Sequence, residues 1–145
     1  GRNRIDFTDP DGHVVWDALM GKDPWGMLVG HGDDQWYDLI RFVEWAMINA
    51  EELDVTMDNV DDMVANSQNA RILRMLGAEG EYGQEVLGLD TDFAYNVIKK
   101  IGNFHELVER FYSEDDETRV GGFYRPRGND ALWNEGGLLF APGLE

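Results

Sequence analysis

The sequence predicts a mainly α-helical fold with a few short β-strands, and three observations carry that reading. From Gly30 to Leu53, the residues Trp36, Leu39, Ile40, Val43, Ala46, Met47 and Ala50 fall on one face of a 3.6-residue period. Behind that stretch, short apolar runs recur with a polar capping residue in front, and two of them close on a glycine, at Gly77 and Gly102. Extended segments are few and short: His13–Trp16, Trp25–Val29 and Leu138–Phe140.

In chain order, Gly1–Thr8 is polar and has no period. Asp9-Pro10-Asp11-Gly12 is a turn signal, as is Gly21–Pro24. Trp25–Val29 is apolar throughout and too short for a helix, so it reads as a strand that runs through Gly30-His31-Gly32 into the central helix. Asp33 or Asp34 caps that helix, where a carboxylate also suits the helix dipole. Phe42, Trp45 and Ile48 widen its apolar surface beyond one stripe, which predicts a helix buried in the middle of the domain with later elements packed on it.

Thr56 is the next N-cap, with Val55 ahead of it and Met57, Val60, Met63 and Val64 as the apolar side. Ser67 caps a helix carrying Ile72, Leu73 and Leu76 and stopped by Gly77. Glu79–Gly88 reads as a loop with one aromatic anchor, Tyr82. Asp90 caps a helix with Phe93, Ala94, Val97, Ile98 and Ile101 on its buried face, Lys99 and Lys100 at its C-terminal end, and Gly102 as its stop. Asn103 caps the last helix, with Phe104, Leu107, Val108 and Phe111 at i, i+3, i+4 and i+7. Ser113–Asp130 is a long acidic surface loop. Ala131–Asn134 makes one helical turn, and Gly136-Gly137 separates it from the strand Leu138–Phe140.

The whole is predicted to be one domain: residues 1–24 a lead-in, 25–29 a strand, 30–112 a helical core, 113–130 the acidic loop, and 131–145 a closing turn and strand. Three short strands separated by helices do not make a sheet by themselves, which suggests that the chain is part of something larger or finds strand partners elsewhere.

Composition narrows the function. The chain's 145 residues suffice for one domain with a core. Twelve basic against 29 acidic residues, net −17, argue against nucleic acid or an anionic membrane as partner, because both need basic patches. No apolar run has membrane-spanning length, and no signal peptide opens the sequence. The opening Gly-Arg-Asn-Arg, without an initiator Met, suggests a processed product. The absence of Cys excludes disulfides and thiolate metal sites.

The polar clusters point to structure more than chemistry. His31-Gly32-Asp33-Asp34 invites a metal or acid–base reading, but His13, His31 and His105 lack the i, i+4 spacing of a helical metal site, and adjacent aspartates diverge around a helix. Helix capping accounts for the pair. Ser67 and Ser113 sit in no nucleophile elbow. Gly77, Gly80 and Gly83 have no lysine to complete a phosphate loop. Glu114–Glu117, Asp61-Asp62 and Glu51-Glu52 read as solvated carboxylates. Arg125 and Arg127 could fork onto a carboxylate or pair with nearby acids. Trp36, Trp45 and Trp133 read as core, and Trp25 could stack on a ligand. No catalytic residue, metal site or cofactor is expected.

The run PWGMLVGHGDDQWYDLIRFVEWAMINAEEL resembles the solute-binding proteins of bacterial ABC importers, in particular the general L-amino-acid-binding group. The likeness continues through Val55-Thr56, Arg74-Met75-Leu76-Gly77, Leu87-Gly88-Leu89-Asp90, Ala94-Tyr95, Gly102-Asn103 and Ala131-Leu132-Trp133-Asn134 to Gly136-Gly137-Leu138, covering about Asp9 to the C-terminus. The resemblance implies the C-terminal part of one lobe of a two-lobe α/β periplasmic-binding-protein fold, with Asp23–Val29 as a crossover strand. It implies a non-enzymatic amino-acid-binding component, periplasmic, that serves an inner-membrane ABC permease and holds a free L-amino acid only together with the missing lobe. It carries no ligand-binding residue onto this chain, because the segments that supply most ligand contacts precede the matched region. The alternative reading is a small acidic helical interaction module that associates with itself or another chain. A hydrolase built on His31 and Asp33 ranks third.

Overall fold

The computed structural model describes residues 8–12, 26–112 and 130–144. Among these, five α-helices follow one another: α1 (Asp34–Glu52), α2 (Val60–Asn66), α3 (Ala70–Met75), α4 (Phe93–Ile101) and α5 (Phe104–Tyr112). Single 3₁₀ turns lie at Pro10–Gly12, Gln84–Leu87 and Trp133–Glu135.

Helix α1 is the organising element, and α4, α5 and the Gln84–Leu87 turn pack on it. Its side chains Ala46, Met47 and Ala50 join Val55, Val60, Ile72, Met75, Leu76, Phe93, Ala94, Ile98 and Leu144 in one buried cluster. Each large apolar side chain so buried contributes about 1.5–3 kcal/mol relative to an exposed one. Burial runs as a gradient along α1. Residues 34–37 are exposed, 38–45 partly covered, and 46–51 buried. The helix is therefore central at its C-terminal half only.

The helix ends follow hydrogen-bond arithmetic. Asp33 caps α1, its carboxylate accepting from the Trp36 amide at 3.1 Å. The other end of α1 closes with the amides of Asp54 and Val55 donating to the Glu51 and Ala50 carbonyls, with Asp54 in the left-handed region at φ 55°. Thr56 and Asn59 then bond reciprocally, Thr56 N to Asn59 Oδ1 at 2.8 Å and Asn59 N to Thr56 Oγ1 at 3.3 Å, as in a capping box. Val55 and Val60, both fully buried in the core, flank that box as a hydrophobic staple. Helix α3 ends in the same left-handed manner at Gly77, φ 79°, where an added Cβ would lie 2.3 Å from the Thr91 carbonyl oxygen.

Three predicted caps move. Helix α2 starts at Val60 with Asn59 at its N-cap, so Thr56 lies three residues ahead of the cap it was expected to form. Asn69, not Ser67, caps α3 by accepting from the Arg71 amide, because Ser67 already closes α2 through its bond to the Met63 carbonyl. Helix α4 starts after Asp92, while Asp90 contributes its carbonyl to the Phe93 amide.

The strand expectations are corrected. Residues 26–30 take no regular structure, and Leu138–Phe140 contributes a single parallel bridge, Leu139 to Leu132. A strand needs a paired neighbour, and among the described residues no segment offers one to 26–29. The proposed strand His13–Trp16, Trp25, and the acidic loop from Ser113 through Arg125 and Arg127 lie outside the described residues.

The closing segment 130–144 is pinned to α1. Buried Asn49 donates from Nδ2 to the carbonyls of Trp45, 2.8 Å, and Pro142, 2.7 Å. Leu132 and Ala141 pack with Ile48, and Leu144 enters the main core.

Candidate functional site

Three surface features gather polar or aromatic groups that a ligand or partner could meet. The first lies at the N-terminal end of α1. Asp33, Gln35, Trp36, Leu39 and Leu87 line an open depression of about 240 Å³. Trp36 is 48% exposed there, and Leu28, in the segment leading to the helix, is 98% exposed. Met27, Tyr37 and Val86 are exposed as well. Tyr37 and Trp45 each hold the Arg41 guanidinium, at 5.1 and 4.5 Å from their ring centroids. Trp36 is thus a surface residue, and its core assignment from helical spacing is corrected. Trp45 is partly buried, as its position in the stripe requires.

His31 sits exposed in the turn before α1. Asp33 is committed to its cap, and Asp34 lies in the first helical turn. Among the described residues no cluster of His, Asp or Glu has the geometry to hold a metal ion. The depression offers one carboxylate, one amide and an indole face.

The second feature is the loop 131–140. Trp133 N donates to the Leu139 carbonyl and Leu139 N to the Ala131 carbonyl, at 2.9 and 3.0 Å, which closes the loop on itself. Gly137 is required there, since a Cβ would collide with the Ala131 carbonyl at 1.9 Å. The loop displays Trp133, 52% exposed and edge-on to Phe140, and so corrects the core assignment of Trp133. Glu52 receives the Trp133 indole N–H at 3.1 Å on one oxygen and Arg71 at 3.4 Å on the other. Glu52 therefore latches this loop and α3 to the end of α1, a role its reading as a solvated carboxylate missed.

The third is a surface triad. Asp61 on α2 accepts from the Tyr95 hydroxyl at 2.8 Å and from Lys99, both on α4. The Lys99 hydrogen bond, then that of Tyr95, holds the Asp61 carboxyl below the usual range. The Asp61 hydrogen bond in turn raises Lys99 and Tyr95. Asp61 and Lys99 are exposed and Tyr95 is partly buried, so the ion pair of the triad fastens α2 to α4 under solvent screening. Tyr82 is different: burial alone pushes its hydroxyl far above the ordinary range, its oxygen has no hydrogen-bond partner, and its ring packs on Phe93. It is the predicted anchor of the 79–88 loop.

No protein-family model matches the chain. Curated relatives do. The general L-amino acid-binding periplasmic protein AapJ of Rhizobium johnstonii is 41% identical over 141 residues, which is 96% of this chain and 39% of that protein. The glutamate/glutamine/aspartate/asparagine-binding protein BztA of Rhodobacter capsulatus is 38% identical over 129 residues, 89% of this chain and 36% of the relative. The chain is homologous to the C-terminal portion of amino-acid-binding periplasmic proteins of ABC transporters. Among solved structures, an ABC transporter periplasmic binding protein from Brucella ovis with glutathione bound superposes with a TM-score of 0.78 at 36% identity, covering 98% of this chain and 43% of that one. The helices described above are thus part of a periplasmic-binding-protein fold, and the chain spans about 39% of the length of the curated relatives.

Proposed function

We propose that this chain is the C-terminal portion of an amino-acid-binding component of an ABC importer, non-enzymatic and periplasmic, which hands its ligand to an inner-membrane permease. The observation that carries the proposal is the 41% identity to a general L-amino acid-binding protein across 96% of the chain. The likeness in fold to a solved periplasmic binding protein, TM-score 0.78 at 36% identity, supports the same reading. By this reading most ligand contacts come from the portion of the relatives that this chain does not match. Calorimetry with a panel of L-amino acids therefore detects no micromolar binding by the chain alone. It detects such binding once the chain is joined to the leading portion of the Rhizobium relative. Silence from the joined protein toward every amino acid would count against the transport assignment.

The exposed aromatics at the end of α1 favour a second reading, self-association. Light scattering on the isolated chain separates the two: a concentration-independent monomer removes the second.

A further inference from the structure

The sequence holds one Asp-Gly pair, Asp11-Gly12, and no Asn-Gly. In such a pair the glycine nitrogen can attack the aspartate side-chain carbonyl, because no Cβ on the glycine blocks the approach. On the carboxylic acid form of Asp11 the bond from Gly12 N to Cγ forms and the Cγ–OH bond breaks. The amide proton leaves with that hydroxyl as water, and the product is a cyclic imide. Water then reopens the ring. Addition at the side-chain carbonyl restores aspartate, and addition at the main-chain carbonyl routes the backbone through the side chain as isoaspartate. In this fold the attacking nitrogen is occupied. Asp9 stands ahead of the 3₁₀ turn Pro10–Gly12, and its Oδ1 accepts from the Gly12 amide at 3.1 Å, as an N-cap does. Pro10, at the first position of the turn, has no amide to compete for that oxygen. The same carboxylate lies against Gly12: a Cβ there would meet Asp9 Oδ2 at 2.5 Å.

We propose that Asp11-Gly12 is an isoaspartate-forming modification site and that the Asp9 carboxylate guards it through the bond to the Gly12 amide. That bond acts twice. It engages the proton that must leave the nitrogen during the attack. It also fixes the Asp11 backbone in 3₁₀ geometry, whereas ring closure requires rotation about its Cα–C bond. An isoaspartate adds one carbon to the main chain between Asp9 and Gly12, which takes the Gly12 amide out of register with its cap. The turn that slows the reaction is therefore lost in the product. Asn66-Ser67 provides a comparison, since an asparagine side chain undergoes the same closure with loss of ammonia. There the Ser67 amide donates to the Met63 carbonyl at 3.2 Å, and Asn66 Nδ2 donates to Asp62 at 2.7 Å. Both reacting groups are held by α2, so this pair stays unmodified. The chemistry at Asp11 is independent of what the chain binds.

Ageing the chain at neutral pH and body temperature reads the reaction. Isoaspartate has the mass of aspartate, so it is located by peptide mapping with electron-transfer fragmentation and counted by labelling with an isoaspartyl methyltransferase. The wild-type chain is expected to accumulate isoaspartate slowly at residue 11, with no deamidation at Asn66. Asp9→Ala removes the acceptor and is expected to form isoaspartate several-fold faster, with the melting temperature of the chain unchanged. Asp9→Asn keeps an oxygen in place and stays close to the wild-type rate. Asp11→Glu abolishes the signal, because closure would then need a larger ring. No isoaspartate at residue 11 in either the wild type or Asp9→Ala overturns the proposal. So does an Asp9→Ala rate equal to or below the wild type, the lower rate making Asp9 a base for the attack and not its guard.

Discussion

Glu106 shows how much one carboxylate can hold. It sits at the third position of α5 and accepts from the Asn103 amide at 2.8 Å, while Asn103 Oδ1 accepts from the Glu106 amide at 2.9 Å. It also receives the Met57 amide, 3.1 and 3.2 Å to its two oxygens, and Asn103 Nδ2 donates to the Val55 carbonyl. One side-chain pair thus ties the start of α5 to the turn before α2. Glu106→Ala leaves two backbone amides without their side-chain acceptor and is expected to cost about 1.5–3 kcal/mol in urea denaturation, the range for hydrogen bonds to a charged group. The Asn-x-x-Glu half of this arrangement is legible in the sequence by spacing. The Met57 half is not, because its partner lies 49 residues away. At Asp61 and Lys99 the pairing is a function of pH. A carboxyl held low stabilises above its unfolded value, 3.8, and loses that contribution as pH falls through the lower folded value. A raised lysine contributes below 10.5 and loses its share as pH rises through its folded value. A double-mutant cycle on the two residues, read by thermal melts, should show coupling at neutral pH that fades at both extremes and weakens with salt.

At the scale of elements, backbone geometry decides where helices stop. Gly77 takes φ 79° against the Thr91 carbonyl, so Gly77→Ala combines a left-handed penalty with a backbone clash and should cost more than about 2 kcal/mol. Asp54 holds the equivalent position after α1 without being glycine. Asp54→Gly should therefore raise stability, by about 0.5 kcal/mol, and the same melts check both variants. The glycine stop was readable. The aspartate stop was not, since no residue type announced it. Caps were readable as a class, but the choice among Ser67 and Asn69, or Asp90 and Asp92, depended on which backbone groups the preceding turn had already consumed. Strands were the weakest part of the reading for a physical reason: extended structure is made by two segments, and an apolar run such as 25–29 says nothing about whether its neighbour is present. Ile98→Ala, at a fully buried position of α4, should cost about 2–5 kcal/mol.

For the molecule as a whole, the helical core from α1 to α5 was legible, and so was the kinship, because the motifs HGDDQW, INAEEL and ALWNEGGL identify a family more sharply than any residue identifies a chemistry. What stayed hidden was how far along α1 the core extends. Periodicity reports which side of a helix is apolar, and it carries no information on whether the covering element belongs to the same stretch of chain. For that reason Trp36 and Trp133, both assigned to the interior on spacing or type, stand at the surface.

The packing of α1 by later elements also has a consequence on the ribosome. Its covering helices α4 and α5 begin some 40 and 50 residues after α1 ends, and Pro142 lies 93 residues beyond Asn49. At about 5–20 residues per second, α1, the longest helix among the described residues, waits for seconds before its cover is synthesised. During that interval it is a natural client for a chaperone, and translation slowed between residues 52 and 93 would lengthen the exposure and raise the aggregated fraction.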